Sequence, residues 1–196
     1  MQITVDGFVG RANGEMDWIT FSPDDKVVEY INDLTDSSDT LLLGRKMADG
    51  FVNYWTSLLD KPESPEYAFA RALDKPGSPP YSFARKMVDI PKVVFSKTVR
   101  ESRWANTTVA NGDLVEEVEK LKQKDGKDII VYGGANFVSN LIKENLIDEF
   151  HLVTNPTAIG RGLTIFGNLE DRLKLKLVQS DTFSNGKVVN HYEPEK

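Results

Sequence analysis

The stretch from Lys127 to Leu141, KDIIVYGGANFVSNL, constrains this chain more than any other. Ile129, Ile130, Val131 and Tyr132 form a short, unbroken apolar run, the pattern of a strand covered on both faces. Gly133 and Gly134 follow at once, and Phe137, Val138, Leu141 and Ile142 then recur at helical spacing. Strand, glycine pair and helix make a βα turn. Its free backbone N–H groups and helix dipole suit an anion, although a tight turn that needs glycine's backbone freedom accounts for the pattern equally well. Neither the GxGxxG spacing nor an acidic residue roughly twenty positions on is present, so the Rossmann fingerprint is not met.

Composition narrows the function classes. A chain of 196 residues is long enough for one domain with a substantial core and short for two. The 24 basic residues are outnumbered by 30 acidic ones, giving a net charge of −6. That balance, with no long basic run, argues against a nucleic-acid or anionic-membrane surface, so any bound anion must meet a local basic site. Cysteine is absent, which removes disulfides, thiol catalysis and thiolate metal sites together. The two histidines, His151 and His191, lie forty residues apart, and no metal site is expected from them. No apolar run approaches the roughly 20 residues that span a bilayer, and no signal-peptide pattern opens the chain, so a cytoplasmic protein is expected.

Taken in order, Ile3 and Val5 alternate into Asp6-Gly7, and Asp6 to Trp18 is a glycine-punctuated loop. Ser22-Pro23-Asp24-Asp25 then opens a helix, with serine at the N-cap, proline at N1 and Asp25 at the capping-box position. Val27, Val28, Ile31 and Leu34 supply its buried stripe. Thr40 to Leu43 is a second strand ending in Gly44-Arg45-Lys46. Asp60 and Asp74 begin a tandem near-copy, DKPESPEYAFAR and DKPGSPPYSFAR, identical at nine of twelve positions. We read it as a duplicated insert at about 60–88, each copy a Pro-rich turn leading into a short helix. As an insert between core strands it fits a surface elaboration or subunit contact better than a lid over the site.

Lys92 to Phe95 is a third strand, running into Ser96-Lys97-Thr98, and Thr107 to Ala110 is a fourth. Asp113 to Lys124 reads as an amphipathic helix with an Asp113/Glu116 capping pair and Leu114, Val115, Val118 and Leu121 facing inward. Glu149 to Val153 is another strand, and Asn185-Gly186 joins two terminal strands as a hairpin. Strands alternating with helices, then a hairpin, predict an α/β fold with a mostly parallel central sheet and antiparallel C-terminal strands. Ligands collect at the C-terminal ends of such strands. Three of those ends carry distinctive residues: Gly44-Arg45-Lys46, Ser96-Lys97-Thr98 and Gly133-Gly134-Ala135-Asn136. Two basic strand ends and a glycine pair suit a ligand with several phosphates, such as a dinucleotide.

In that order, DGFVG…MDW, LLLGRKM, VVFSKT and IIVYGGANF resemble the ordered motifs of the dihydrofolate reductase superfamily. The segment LIDEFHLVTNPTAIGRGLTIF is more similar to the C-terminal reductase domain of the bifunctional riboflavin-biosynthesis deaminase/reductase. The resemblance covers nearly the whole chain apart from the duplicated insert. It implies a three-layer dihydrofolate reductase-like fold, a single reductase domain over 1–196, an NADPH cofactor and a homodimer. Arg45 and Lys46, with Ser96 and Lys97, would hold the adenosine end and its 2′-phosphate. Gly133, Gly134 and Ala135 would lie against the pyrophosphate, and Gly44 and Asn136 would also belong to the cofactor-binding set. Val5 and Asp6 would line the nicotinamide side, and Gly10 to Trp18 would close over it. The family's acid points to Asp24 or Asp25, with Asp17 next in line.

Two departures qualify that picture. Asp17 precedes Trp18 where dihydrofolate reductases usually have proline, and no cysteine-bearing deaminase signature is present. The expected activity is therefore reduction of a pterin-like or ribosylaminopyrimidine-like heterocycle, of the 5-amino-6-(5-phosphoribosylamino)uracil reductase type. Dihydrofolate reductase proper, or a non-catalytic nucleotide-binding protein on the same fold, are the alternatives. The apolar alternation of Leu173, Leu175 and Leu177 with Lys174 and Lys176 leaves one strand face needing a cover, which a second copy could supply.

Overall fold

A computed structural model describes residues 1–19 and 26–195. The predicted helix opening at Ser22-Pro23-Asp24-Asp25 lies outside the described residues. The chain divides into two compact units, Phe21–Gly134 and a second made of Met1–Thr20 with Ala135–Lys196.

In the first unit, β2 (Ser38–Gly44), β3 (Lys92–Phe95), β4 (Thr107–Ala110) and β5 (Asp128–Gly133) form a parallel sheet in the order β4-β3-β2-β5. Leu41, Leu42 and Leu43 are at most 2% exposed, as a central strand covered on both faces requires. Burying each such side chain contributes roughly 1.5–3 kcal/mol. Parallel pairing puts all four C-terminal ends on one edge. Leu43 stands opposite Gly133, Gly44 opposite Phe95, and Phe95 opposite Ala110.

A register shift between Leu42 and Leu43 leaves Tyr132 as an extra residue of β5. Its hydroxyl lies 2.6 Å from Thr35 Oγ1, which itself donates to Ile31 O at 2.7 Å, so Tyr132 is the donor of the pair. Burial pushes this phenol up to about 12. Thr35 belongs to α1 (Val27–Asp36), whose buried face is Val27, Val28, Ile31, Asn32 and Thr35. The amide of Asn32 is satisfied by Val28 O at 2.8 Å and Leu73 O at 2.9 Å.

The long helix α2 (Arg45–Asp60) follows β2 directly. Its Trp55 packs at 6.1 Å on Phe51, 5.2 Å on Tyr54 and 5.5 Å on Phe83 between ring centroids, distances typical of favourable aromatic pairs. Phe83 lies in the second copy of the tandem repeat. The first copy forms a 3-10 turn, Pro65–Tyr67, and α3 (Ala68–Arg71); the second forms α4 (Ser82–Asp89). With Tyr67, Ala70, Phe83 and Met87 all buried, the repeat is not a surface elaboration but part of this unit's core. Asp74 fixes the second turn, accepting from Tyr81 N at 2.6 Å and Phe83 N at 3.0 Å, and Tyr81 takes a left-handed φ of 62° there. In the first copy Arg71 donates instead to Pro62 O at 2.7 Å and Ser64 O at 2.9 Å.

The helix α5 (Leu114–Lys122) is capped by Asp113, whose carboxylate accepts from Val115 N and Glu116 N. Val118 is its buried residue, and Val115, expected to face inward, is 36% exposed.

The second unit holds a mixed sheet in the order β1-β6-β8-β7. Here β1 (Gln2–Thr4) runs parallel to β6 (Phe150–Asn155), while β8 (Val188–Pro194) is antiparallel to β6 and to β7 (Leu175–Thr182). The parallel strands and the antiparallel C-terminal strands foreseen from the sequence are both present, in separate ladders. The Asn185-Gly186 hairpin closes through Phe183 N to Lys187 O at 2.9 Å. A bulge between Leu177 and Gln179 interrupts the register of β7, and the consecutive residues Leu177 and Val178 are 52% and 46% exposed. The helix α6 (Ala135–Lys143) buries Val138, Leu141 and Ile142.

Candidate active site

The parallel sheet edge gathers most of the predicted phosphate-binding residues. Gly44 ends β2 in extended conformation and starts α2 with no side-chain cap, and no acidic residue occupies the first turn. Arg45 and Lys46 therefore sit on a helix end whose dipole disfavours cations by roughly 0.3–1 kcal/mol each. An anion there would reverse that sign. Lys46 is exposed.

Arg45 is offset by a group that sequence reading passed over. Asp49, one turn on, accepts from Arg45 Nη1 at 3.0 Å, from Arg103 Nη2 at 2.7 and 2.8 Å and from Trp104 Nε1 at 3.0 Å. Its hydrogen bond from Arg103, reinforced by those from Arg45 and Trp104, holds its carboxyl below the usual range. The Arg45 and Arg103 guanidinium carbons lie 5.4 and 5.3 Å from the centre of the Trp104 ring. The i,i+4 spacing of Arg45 and Asp49 was a readable signal; the approach of Arg103 and Trp104 was not.

On the neighbouring strand end, Ser96 is buried, and its hydroxyl accepts from Val99 N at 2.9 Å and Thr98 N at 3.2 Å. Lys97 is exposed, its Nζ donating to Gly112 O at 2.7 Å. Asn111, also unforeseen, ties the turn down through Ser96 O at 2.7 Å and Val99 O at 2.6 Å. Gly133 closes the edge with φ +147°, and a Cβ there would meet Met47 Sδ at 3.0 Å. Conformation and close approach both call for glycine. Gly134 follows at φ 85°. The donor set of this edge, backbone N–H groups with Lys46 and Lys97, fits a phosphate-bearing cofactor.

The remaining predicted residues lie in the other unit. Val5 is 63% exposed, its N–H donating to Thr157 O at 3.0 Å. Asp6 accepts from Gly160 N at 2.7 Å and Ile159 N at 3.0 Å. A hydrogen bond from Thr4, then those two backbone groups, hold its carboxyl below the usual range. Gly10 bridges to Leu163, with Leu163 N donating to Gly10 O and Val9 N to Leu163 O, both at 2.8 Å. Arg11 Nε donates to Asp17 at 2.6 Å, which likewise depresses the Asp17 carboxyl. Trp18 is buried, and its indole N–H finds no partner among the described residues. Arg11, Ala12, Asn13, Ile159 and Arg161 line a cleft of about 250 Å³. Ala135 and Asn136 open α6, and Asn136 Oδ1 lies 3.4 Å from Nδ2 of Asn168, which also donates to Asn140 at 2.7 Å. Asp24 and Asp25 lie outside the described residues.

The two histidines, distant in sequence, are direct cross-strand partners on β6 and β8. Their rings stack with centroids 4.2 Å apart, and Glu149 Oε2 lies 3.0 Å from Nε2 of each. Sequence separation conceals such a pair because antiparallel register is set by the whole sheet.

Comparison with known proteins gives the lineage. The family model described as the RibD C-terminal domain matches residues 1–189. Uncharacterized protein YyaP of Bacillus subtilis (strain 168) is 34% identical over 195 residues, covering 98% of this chain and 92% of that protein. Among solved structures, one assigned to riboflavin biosynthesis from Shewanella sp. PV-4 superposes with a TM-score of 0.72 at 21% identity, over 100% of this chain and 97% of that one. The diaminohydroxyphosphoribosylaminopyrimidine deaminase/5-amino-6-(5-phosphoribosylamino)uracil reductase of Thermotoga maritima gives 0.66 at 19% identity, over 99% of this chain and 55% of that one.

Proposed function

This chain belongs to the RibD C-terminal domain family, and on that premise we propose that it is an NADPH-dependent reductase of a ribosylaminopyrimidine-like heterocycle. The observation that carries the reading is the sheet edge where Gly44 ends opposite Phe95 and Gly133 ends opposite Leu43, with Lys46 on an uncapped helix start and Lys97 on the adjacent turn. NADPH, when bound, supplies the hydride. The chain's part is to hold the phosphates, orient the acceptor and deliver a proton. Lys46 and Lys97 supply the cationic contacts for the 2′-phosphate, because Arg45 is already engaged by Asp49. The glycine pair lets the backbone approach the pyrophosphate.

Asp6 and Asp17 are both held ionised by their hydrogen bonds, which suits them to fixing loops and not to giving up a proton near neutral pH. Asp24 and Asp25 keep the role of general acid in this reading. Asp17 engages Arg11 as Asp49 engages Arg45, so Arg161 is the cation that an anionic substituent would meet at the cleft, which favours a phosphorylated substrate over a plain pterin. A homodimer built on the edge strand β7, where Leu177 and Val178 are exposed, completes the proposal.

Calorimetric titration with NADPH and NADH, followed by turnover with a heterocycle panel, tests the reading. NADPH should bind more tightly, and Lys46→Ala or Lys97→Ala should weaken it roughly 10- to 100-fold, the loss of one charge-assisted contact, while leaving NADH nearly unchanged. Equal wild-type affinity for the two cofactors would remove these lysines from the site. Binding of neither by the folded protein would refute the reductase.

A further inference from the structure

His151 and His191 face each other across the antiparallel ladder, and Glu149 precedes β6 on the same chain segment. One carboxylate oxygen, Glu149 Oε2, stands 3.0 Å from Nε2 of both rings. Towards His151 the contact is directed as a hydrogen bond. Nε2 of His191 is buried, and despite the same distance it makes no well-directed hydrogen bond among the described residues. Three ligand-type atoms therefore converge, one of them a buried ring nitrogen without a satisfied partner. The reductase reading uses none of the three residues.

The spacing matches a coordination sphere. In a tetrahedral zinc site with metal–ligand bonds of about 2.0–2.1 Å, neighbouring ligand atoms are about 3.3 Å apart. Both Nε2-to-oxygen edges here are 3.0 Å and all three ligand atoms lie within 4.8 Å of one another, while the two rings stack nearly parallel, so an ion would seat once one imidazole turns to bring its in-plane lone pair onto the shared centre. Two imidazoles and one carboxylate are the donors of late first-row ions, whereas magnesium and calcium want oxygen alone. We infer that Glu149, His151 and His191 form a binding site for a divalent transition ion of the zinc class, ligated through Glu149 Oε2 and the two Nε2 atoms, with a fourth position left for water or a further ligand. Joining β6 to β8, the ion would bind the folded state and not the unfolded one, and so would raise stability with its concentration.

The test uses the full chain, freed of metal by a chelator and titrated with zinc chloride in a non-coordinating buffer. Calorimetry should show one ion per chain, the thermal midpoint should rise with zinc, and cobalt(II) should give the intense visible absorption of a low-coordinate site. Glu149→Gln and His191→Asn should each weaken binding at least roughly tenfold. Should His191→Asn fail to fold, Glu149→Gln carries the test, since that side chain is exposed and lies outside the strand. Absence of saturable one-to-one binding overturns the site, as does wild-type affinity in the variants. Magnesium or calcium binding in preference to zinc overturns the class of ion. None of these readouts depends on turnover.

Discussion

Gly162→Ala should detach the N-terminal loop of its own unit. A Cβ at Gly162 would stand 2.2 Å from the backbone oxygen of Gly10, with Ile159 Cδ1 at 3.1 Å and Phe8 Cβ at 3.2 Å. A backbone carbonyl cannot swing aside as a side chain can, so the two segments must part by about 1 Å to reach ordinary contact distance. That separation breaks the bridge between Gly10 and Leu163, made by hydrogen bonds of 2.8 Å from Leu163 N and from Val9 N. At roughly 0.5–1.5 kcal/mol each, the local cost is about 1–3 kcal/mol. The damage falls on a loop pairing and not on the sheet, so local opening should be affected more than global unfolding. Hydrogen exchange read at the amides of Val9 and Leu163 should accelerate roughly 5- to 150-fold, the same energy expressed as an opening equilibrium. Amides of β6 and β8 should be little changed. Unaltered exchange at Val9 and Leu163 would show that the close approach imposes no constraint, and would refute the reasoning.

Lys92 gives a pH-dependent signature. It is 2% exposed, its Nζ donates to Val88 O and Ile90 O at 2.8 Å, and burial lowers its pKa from 10.5 to about 8. Below pH 8 both folded and unfolded chains hold the proton, and the burial penalty stands in full. Between 8 and 10.5 the unfolded chain binds more protons, so stability should rise with pH, by about 2 kcal/mol from pH 8 to 10. Tyr132, raised to about 12, works the other way only above pH 10. Urea denaturation of wild type and Lys92→Met isolates the effect, which should vanish in the variant; parallel profiles would refute it. Tyr132→Phe should cost about 1 kcal/mol through the lost bond to Thr35, and an unchanged urea midpoint would contradict that pairing. Leu177→Lys on the edge strand should convert the proposed dimer to a species of 22.0 kDa by light scattering, and a wild-type mass already at that value would refute the dimer.

The elements that sequence alone revealed were those whose evidence is local. Ile129 to Tyr132, the glycine pair and the helix beyond it occupy about fifteen residues, so strand, turn and helix could be read from one window. Asp113 announced its helix because capping acts over three residues. What escaped was decided by register. The pairing of His151 with His191 follows from ladder alignment, and the bulge beside Val178, which shifts the register of β7 against β8, leaves no mark in composition. The tandem copies looked like an addition because of their prolines and charges, yet Tyr67 and Phe83 are the residues their helices bury. At the site, Arg45 and Lys46 were legible as neighbours of a strand end. The cluster in which Asp49 engages Arg45 required knowing where Arg103 and Trp104 fold back.

The pairing of β1 with β6 has a consequence for how the chain is made. All four strands of the parallel sheet lie in one continuous run, Phe21–Gly134, and can pair as soon as that run has left the ribosome. Gln2, by contrast, pairs with Val153, so β1 waits for about 150 more residues before its partner is made. At roughly 5–20 residues per second that delay is about 8–30 s. A long apolar strand left open for that time would invite pairing with other nascent chains. At three residues, Gln2–Thr4 offers them little to hold.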